Sequence, residues 1–422
     1  MANHSPSWTL LCHLNYGAKG QVVAVRPRDN AFSVTLLPNS AATGLSFDRR
    51  PVLLGMGSSD NALLFDPVTK NIASAIAPAD VNPSYAYPDA SSGHLWFSND
   101  GDDETGNDEL NCGANGSSVA IFDSKDSGHH LKTLCVGRGH HVTAFTAPNA
   151  QHPKLPCHAY VSNLQDGTIS IVGNDPSVSS EYLKILATIN LLEKEKEKDA
   201  DTDIPNNAFP HGMVFAPTTG RIYNLNNGYG TIVVINPSTQ QIEQRIALSG
   251  CSNLLLSPDG RFLIAKGADR KADPDHVVGK VAVIDIAQNK VVTELQVPDF
   301  YPSTFRFSPD GKKLYVTSAA TGKGTQKTNL DISSILVYDT AALPELKQIK
   351  KITAGKADCG RRPVAFFHEN GRHRFTFVPN PTDGTLTILE GENDQNVGTI
   401  SLAEANCEEI LFSFWDRAIT GS

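Results

Sequence analysis

Histidines and arginines stand immediately before short apolar segments at several widely separated places in the sequence. Three such places are Arg138-Gly139-His140-His141, Phe209-Pro210-His211-Gly212 and Arg361-Arg362-Pro363. Histidine exchanges a proton near neutral pH, and arginine binds anionic oxygens through paired hydrogen bonds. A fold that brings these side chains to one pocket would let them bind a carboxylate or an enolate and transfer a proton. We therefore predict that the catalytic residues are His140, His141, His211 and Arg361.

Polar residues that begin comparable segments are predicted to contact the substrate. They are Arg138, Arg362, Tyr85, Asn253, Tyr301 and Glu408. The competing interpretation is that a histidine in one of these segments only bonds to a nearby backbone carbonyl. Alternation along a regular strand also means that one of His140 and His141 faces away from any pocket.

The same histidines are of a type that binds transition metals, and His140 with His211 is the candidate pair. In a regular strand, however, no obvious third ligand accompanies them. The nearest approach to a dinucleotide fingerprint is Gly228-Tyr229-Gly230, but Val233 stands where the third glycine is required and a strand pattern follows. We predict that no cofactor is bound, with a metal at His140 and His211 as the alternative.

Two charged segments are predicted to be surface structure. Residues 100–109 are acidic but lack the glycine and glutamate spacing of a helix-loop-helix calcium site, so a solvated loop is favoured over a loose calcium site. The Glu/Lys run at residues 193–198 is expected to form a short exposed helix or linker that contacts only solvent.

The elements that must position the histidines and arginines are short β-hairpins. Leu256-Ser257-Pro258-Asp259-Gly260-Arg261-Phe262 recurs as Phe307-Ser308-Pro309-Asp310-Gly311-Lys312-Lys313-Leu314, at about the fifty-residue interval expected for one propeller blade. In each copy proline presets φ and glycine takes a positive φ, so one apolar strand turns directly into the next.

A further β-branched segment that ends at a turn occurs seven times. The copies are residues 61–66, 118–123, 168–173, 231–236, 280–285, 334–339 and 385–390. Each repeat would then hold four strands that are too short to bury a sheet face alone, and radial stacking of such sheets covers their edges. We predict an all-β fold, a β-propeller of four-stranded blades.

The two ends of the chain are predicted to share one more blade. Residues 8–13 and 21–25 form a hairpin pattern whose missing inner strand would come from residues 408–415, with residues 418–422 as the stub of the next sheet. This closure by both termini gives eight blades, and seven is the alternative. Because one repeat pattern runs nearly end to end, residues 1–422 are predicted to form a single domain.

Four insertions interrupt the repeats, at residues 100–116, 190–209, 267–279 and 319–331. Three of them fall between the second and third strands of a blade, and the one at 190–209 joins two blades. Both kinds of connection leave the same face, because strand direction alternates. Loops on a rigid scaffold commonly carry binding residues, so this loop-rich face is the candidate functional face.

Charge and hydropathy limit the partners of the chain. There are 36 basic and 45 acidic residues, for a formal net charge of -9, and no basic stripe. Nucleic acid is therefore not a predicted partner. No apolar run reaches the roughly 18 residues of a membrane span, so no membrane association is predicted.

The cysteines and the N-terminus bear on the compartment. Seven cysteines are scattered singly without a C-x-x-C pair, and we expect free thiols rather than a disulfide or a zinc site. The first residues lack a basic segment followed by an apolar core, which predicts a cytoplasmic protein. Secretion after removal of a leader is the alternative, because the sequons Asn3-His4-Ser5 and Asn115-Gly116-Ser117 permit glycosylation.

The Ser-Pro-Asp-Gly hairpins resemble the YVTN-type propeller repeat. Its superfamily includes the lactonase-like propellers and the haem-binding propeller of dissimilatory nitrite reductases, and the resemblance is closest from Pro210 to Leu389. The segment Phe209-Pro210-His211-Gly212-Met213-Val214-Phe215 is similar to the Pro-His strand of the lactonase-like enzymes. Arg361-Arg362-Pro363-Val364-Ala365-Phe366 is similar to their Pro-Arg-His strand, but no histidine follows the arginine pair. The haem-attachment sequence C-x-x-C-H does not occur.

The resemblance implies a small-molecule enzyme whose pocket lies at the loop-rich mouth of the ring. Lactone hydrolysis, isomerisation and a cofactor-free cyclisation would all suit its histidines and arginines. One alternative is a non-catalytic propeller that binds a ligand or a protein partner on the same face, since a fold does not determine a function. The other is an enzyme with a histidine-bound metal.

Overall fold

A computed structural model describes most of the chain. The described residues are 10–15, 20–28, 31–36, 52–56, 62–66, 71–76, 83–89, 91–99, 112, 117–123, 129–139, 142–197, 205–322, 324–359, 361–402, 409–414 and 419–421. None of the helical structure in these ranges has the length and apolar character needed to cross a bilayer.

The described residues form strands and one short helix. The strands before the helix are β1 (Leu10–Asn15), β2 (Gly20–Arg28), β3 (Ala31–Leu36), β4 (Val52–Met56), β5 (Ala62–Asp66), β6 (Asn71–Ile76), β7 (Pro83–Pro88), β8 (His94–Asn99), β9 (Ser117–Asp123), β10 (His129–Val136), β11 (Thr143–Phe145), β12 (His158–Asn163), β13 (Thr168–Gly173), β14 (Ile185–Asn190), β15 (Pro210–Ala216), β16 (Arg221–Asn226), β17 (Thr231–Asn236), β18 (Gln241–Ala247), β19 (Asn253–Leu256), β20 (Phe262–Asp269), β21 (Val278–Asp285), β22 (Lys290–Pro298), β23 (Pro302–Phe307) and β24 (Lys313–Ser318). The helix is α1 (Thr325–Asn329), and after it come β25 (Ser334–Asp339), β26 (Lys347–Thr353), β27 (Ala365–Glu369), β28 (Arg372–Asn380), β29 (Thr385–Glu390), β30 (Asn396–Ser401), β31 (Glu409–Phe414) and β32 (Ile419–Gly421).

These strands form eight antiparallel sheets, which we number along the chain. Sheet 1 has the order β3-β2-β1-β31, sheet 2 is β4-β5-β6, and sheets 3 to 7 each hold four consecutive strands from β7 to β26. Sheet 8 has the order β30-β29-β28-β27-β32. The predicted all-β propeller is confirmed. Sheet 2 has three strands among the described residues, so the choice between eight and seven four-stranded blades stays a prediction.

Neighbouring sheets are held together by shared apolar clusters. One cluster joins sheets 3 and 4 and contains Trp96 and Val161, and another joins sheets 8 and 1 and contains Phe377 and Leu10. Equivalent clusters join each consecutive pair from sheet 4 to sheet 8. In sheet 2, β4 lies beside β31 of sheet 1 and β7 of sheet 3. The sheets therefore follow one another in a closed ring, which removes their apolar faces from water.

The ring is closed by strands from both ends of the chain, as predicted. β31 pairs with β1 along its whole length, from Leu10 opposite Phe414 to Asn15 opposite Glu409. The last strand differs from the prediction, because β32 is not the start of the next sheet. It adds to β27 of sheet 8, with Ala365 opposite Gly421. β32 supplies hydrogen-bond partners for backbone groups of β27 that would otherwise lie at an open sheet edge.

The Ser-Pro-Asp-Gly segments form the tight turns that their residues predict. In sheet 6, Ser257 Oγ donates to Asp259 Oδ1 at 2.6 Å and accepts from the Phe262 N–H at 2.9 Å, while Gly260 has a φ of 68°. In sheet 7, Ser308 and Gly311 repeat this arrangement with a φ of 71°. A residue with a Cβ would be strained at either glycine.

One disulfide corrects the prediction of seven free thiols. Cys112, in the connection between β8 and β9, is bonded to Cys135 of β10. Four free thiols lie in the described ranges, and Cys407 lies outside them. Sequence spacing did not reveal the pair, because its members are 23 residues apart and only the return of β10 along β9 brings them together.

His373 is packed between sheets 7 and 8, at the end of the ring where the Ser-Pro-Asp-Gly turns lie. The imidazole of His373 meets the rings of Tyr315 and Phe366 edge-on, with centroid distances of 6.0 and 5.2 Å. Burial lowers the pKa of His373 from its ordinary 6.5 to about 4, and nearby Lys313 adds to the lowering. The folded protein therefore favours the neutral imidazole.

We expect His373 to lower the free energy of unfolding by about 3 kcal/mol as the pH falls from 6.5 to about 4. In this window the unfolded chain binds a proton at this histidine and the folded chain does not, so acidification favours unfolding. Above the window the stabilisation is complete. Urea unfolding at a series of pH values measures the effect, and His373→Gln should flatten the profile. A variant profile that runs parallel to the wild type would contradict the assignment.

Candidate functional site

The innermost strands of sheets 5, 6 and 7 begin at one end of the ring, which we call the mouth. β15 begins at Pro210, β19 at Asn253 and β23 at Pro302. The insertions at residues 267–279 and 319–331 fall between second and third strands, and residues 190–209 join sheet 4 to sheet 5. Because strand direction alternates, these connections lie at the mouth as well.

His211 lies at the mouth in a β-bulge. Pro210 pairs with Asn226 and Gly212 pairs with Leu225, so His211 is the extra residue between two consecutive pairs. The same irregularity leaves Ser303 as the extra residue at the start of β23. A bulge re-aims its side chain relative to a regular strand. The His211 ring is partly exposed, while its Nδ1 atom is buried.

Backbone strain precedes this bulge. Phe209 has a φ of 48°, in the left-handed region that bulky side chains avoid. Its carbonyl accepts a hydrogen bond from the N–H of Asn227 at 3.1 Å, and the carbonyl of Ala208 accepts from the N–H of Gly228 at 2.9 Å. The hairpin between β16 and β17 therefore holds the strained residue in place. Strain of this kind costs about 1–3 kcal/mol and is concentrated at functional sites.

The Glu/Lys run at residues 193–198 helps to hold the segment that leads into β15. It is therefore not the solvent-only segment that was predicted. Glu193 is only 7% exposed and accepts a hydrogen bond from Thr231 Oγ1. Glu197 accepts from Asn207 Nδ2 at 2.7 Å and from the hydroxyl of Tyr229. The prediction failed because charge composition does not show that sheet 5 presents donors to these two carboxylates.

Sheets 5 and 6 are in close contact beside His211. A Cβ on Gly212 would lie 2.7 Å from Asn253 Cα and 2.9 Å from Leu254 N, both of them backbone atoms. Only glycine permits this approach without a shift of one strand. The contact brings the predicted site residues His211 and Asn253 onto neighbouring innermost strands. The Asn253 side chain is partly exposed.

Lys266 also lies at the mouth, although it was not identified from the sequence. It lies directly across from Asn253 in the β19–β20 pair and is 6% exposed. Its Nζ donates to the carbonyl oxygen of Pro302 at 3.0 Å and lies 5.7 Å from the centroid of the Phe305 ring. Burial lowers the pKa of Lys266 to about 8. The available signal was a lysine inside the apolar segment that forms β20.

Arg362 is placed differently from the prediction that it contacts substrate. It is 0% exposed, and its guanidinium donates to the carbonyl oxygens of Ile332, Gly355 and Pro379 and to Asn380 Oδ1, at 3.3, 2.6, 2.9 and 2.6 Å. Burial lowers the pKa of Arg362 to about 10. With its donors directed at these four acceptors, Arg362 ties the loops that flank β25 and β26 of sheet 7 to the end of β28 in sheet 8.

The backbone around Arg362 joins the two sheets at the mouth. Its N–H donates to Ser303 Oγ at 2.8 Å, and its carbonyl accepts from Thr317 Oγ1 at 2.6 Å. The neighbouring Arg361 has an exposed side chain, and its carbonyl accepts from Cys359 Sγ at 2.9 Å. Arg361 and His211 thus precede or begin innermost strands at the same end of the ring, on sheets 8 and 5.

Arg138, in the connection from β10 of sheet 3 to β11 of sheet 4, forms an ion pair with an acid of sheet 4. Its N–H and Nε donate to the two carboxylate oxygens of Asp166 at 2.9 and 2.7 Å. Sheet 8 repeats the acid, because the N–H of Lys356 donates to Asp383 Oδ2 at 2.7 Å. Pairing with a carboxylate leaves Arg138 less suited to bind a substrate anion than an unpaired guanidinium.

The remaining predicted residues are only partly covered by the structure. His140, His141 and Glu408 lie outside the described residues, and Tyr85 lies in β7 without a described side chain. Tyr301 is partly exposed at the mouth, where its carbonyl accepts from the N–H of Ala319 at 3.3 Å. The structure therefore brings His211, Asn253, Tyr301 and Arg361 to one end of the ring.

Within the described part of the chain, no three or more His, Cys, Asp or Glu side chains converge as a metal site would require. The predicted pair of His140 and His211 stays a prediction, since His140 is not described.

Solved structures similar to this chain include sugar lactonases. A periplasmic gluconolactonase of Pseudomonas aeruginosa matches with a TM-score of 0.54 and 15% identity over 86% of this chain and 98% of its own. A putative 6-phosphogluconolactonase of Bacteroides uniformis matches with a TM-score of 0.52 and 14% identity over 96% and 99%. A protein from Lactobacillus plantarum gives a TM-score of 0.53 and 14% identity over the same shares, 96% and 99%.

The chain has the fold of the lactonase-like β-propellers. This confirms the resemblance inferred from the hairpins. No family model and no curated protein sequence matches the chain. At these identities the similarity shows the fold, and the chemistry has to be argued from the mouth of this propeller.

Proposed function

We propose that this lactonase-like propeller hydrolyses the ester bond of small lactones at its mouth. The observation that carries the proposal is His211, a partly exposed imidazole held by a strained bulge on a fold shared with two proteins named as lactonases. Imidazole is suited to proton transfer near neutral pH. This fold similarity favours hydrolysis over isomerisation and cyclisation, which the same residue types would also permit.

In the proposed reaction His211 acts as the general base. It takes a proton from a water molecule whose oxygen attacks the lactone carbonyl carbon, and the negative charge moves to the carbonyl oxygen. The ring C–O bond then breaks, and the alkoxide formed receives the proton, which leaves a hydroxy acid. His140 and His141 are the other candidates for this proton transfer. General acid–base catalysis by a positioned side chain contributes about 10²–10⁴-fold.

Arg361 is the proposed partner of the developing oxyanion. Its side chain is exposed at the mouth, whereas the side chain of Arg362 is fully buried. A guanidinium stabilises negative charge on the attacked carbonyl oxygen through charge-assisted hydrogen bonds. Asn253 and Tyr301 are proposed to contact the remainder of the small-molecule substrate. The chemistry of these groups requires no cofactor.

The disulfide bears on the compartment in which this would occur. Cys112 and Cys135 are bonded, and such bonds persist in oxidising compartments. We propose that the protein acts outside the reducing cytosol, in place of the predicted cytoplasmic location. Isolation of the native protein with both cysteines as free thiols would count against this.

The lactonase proposal is tested by titration of the acid released on ring opening. We expect full-length protein in a pH-stat to open at least one member of a panel of γ- and δ-lactones, including sugar lactones, with a rate that saturates with substrate. The reference is an equal amount of denatured protein, which corrects for spontaneous hydrolysis. If no lactone is opened faster than in the reference, the proposal is wrong.

A further inference from the structure

We propose that Lys266 is a covalent binding site for small aldehydes and ketones, with which its amine forms an imine. The site belongs to the mouth but uses a residue outside the proposed lactonase chemistry, and it does not depend on that activity. Three features carry it: the Lys266 side chain is nearly buried, no carboxylate among the described residues pairs with it, and it lies across from Asn253 at the start of β19.

The surroundings of the Lys266 amine favour its uncharged form. Among the described residues, Nζ donates one hydrogen bond, to the carbonyl oxygen of Pro302, and it lies 5.7 Å from the centroid of the Phe305 ring. Within the described ranges no carboxylate lies within salt-bridge distance of Lys266. An isolated ammonium in such surroundings has a large desolvation cost, which the loss of its proton removes.

The neighbouring thiol does not supply the missing charge. Cys251 is 1% exposed, and burial raises its pKa to about 12, so it remains a neutral thiol. Burial lowers the pKa of Lys266 itself to about 8. About half of the amine is then neutral at pH 8, whereas roughly one part in 250 is neutral for a lysine of ordinary pKa. A neutral amine is the nucleophilic form.

Other shielded lysines of the same ring are neutralised in another way. Lys280 of β21 has a side chain 15% exposed and pairs with Glu294 at 2.6 Å. Lys313 of β24 has a side chain 16% exposed and pairs with Asp394 at 2.7 Å. Each of these two ammonium groups therefore has a carboxylate within ion-pair distance. Lys280, in the same sheet as Lys266, is therefore the matched control.

The covalent step is balanced without any further reactant. The amine lone pair attacks the carbonyl carbon, and a proton moves from nitrogen to the former carbonyl oxygen to give a carbinolamine. Loss of one water molecule forms the C=N bond, and addition of water reverses the reaction. The carbonyl oxygen of Pro302 accepts a hydrogen bond from the reacting amine and helps to fix its position.

Reductive trapping tests the site. Full-length protein is incubated at pH 8 with propanal and sodium cyanoborohydride, which converts each imine to a stable secondary amine, and the modified lysines are quantified by peptide mass spectrometry. We expect Lys266 to be alkylated at least about tenfold faster than Lys280, because the neutral amine is the nucleophilic form.

Variants separate this site from general amine reactivity. Lys266→Arg keeps the positive charge and should abolish the fast site, and Lys280→Arg should leave it unchanged. His211→Asn should also leave the trapping unchanged, so failure of the lactonase proposal and failure of this one are distinguishable. Labelling of Lys266 no faster than Lys280, or labelling only after denaturation, would overturn the proposal.

Discussion

Replacement of Arg362 by methionine is expected to lower the free energy of unfolding by about 3–5 kcal/mol. Methionine fills much of the volume but donates no hydrogen bond. The carbonyl oxygens of Pro379 and Gly355 and the Asn380 Oδ1 would each lose a donor at 2.9 Å or less. A buried acceptor without a donor costs about 1–3 kcal/mol, and relief of the desolvated charge offsets part of the sum. Urea unfolding followed by fluorescence measures the change.

The neighbouring residue supplies the control for this prediction. Arg361→Met removes the same side chain at an exposed position, and we expect a change within about 0.5 kcal/mol. Arg362→Lys should fall between the two, since an ammonium cannot reach acceptors on both sides of a planar guanidinium. Equal stability of the variants at positions 361 and 362 would show that the buried hydrogen bonds of Arg362 are not what holds these loops.

Replacement of His211 by asparagine is expected to reduce kcat/KM for the best lactone by about 10²–10⁴-fold. Asparagine is similar in size and polarity but does not accept a proton at neutral pH. The loss should appear mainly in kcat, because a general base acts in the transition state while the substrate contacts from Asn253 and Tyr301 remain. Initial rates in the pH-stat across a range of lactone concentrations measure both constants.

His130 provides the matched histidine for that experiment. It is exposed on β10, where its Nε2 and Thr133 Oγ1 are 2.9 Å apart. His130→Asn should keep wild-type activity, and His211→Asn should keep wild-type stability to within about 0.5 kcal/mol because its ring is partly exposed. Retention of full activity by a folded His211→Asn variant would remove the histidine from the proposed mechanism.

Local chemistry made the hairpins and the ring closure predictable. Ser257, Asp259 and Gly260 form their turn from groups within six residues, so the pattern needs no distant partner. The pairing of β31 with β1 was expected because the first repeat lacked an inner strand. A second repeated motif predicts another local turn: Asn163-x-x-Asp166-Gly167-Thr168 recurs as Asn380-x-x-Asp383-Gly384-Thr385. In each copy the asparagine side chain donates to the threonine hydroxyl at 2.9 Å.

The residues that sequence reasoning misjudged all depend on a partner far away in the chain. Lys266 is part of the mouth because Pro302 and Phe305 of the next sheet enclose it. Glu193 is buried against Thr231 of sheet 5, and Cys112 meets Cys135 across a hairpin. None of these partners follows from spacing, since the first two are set by how neighbouring parts of the ring pack and the disulfide by how β10 returns along β9.

The sequence by itself determined that this chain is a β-propeller closed by its two ends, and it predicted that histidine and arginine gather at the loop-rich mouth. Tertiary structure decided what each of those side chains does. Arg361 and Arg362 are adjacent and identical in type, yet one is exposed and the other is 0% exposed. The physical reason is that the buried acceptors converge on one side of the chain, where only one of the two guanidiniums can reach them. They come from positions distant in sequence: Ile332, Gly355, Pro379 and Asn380.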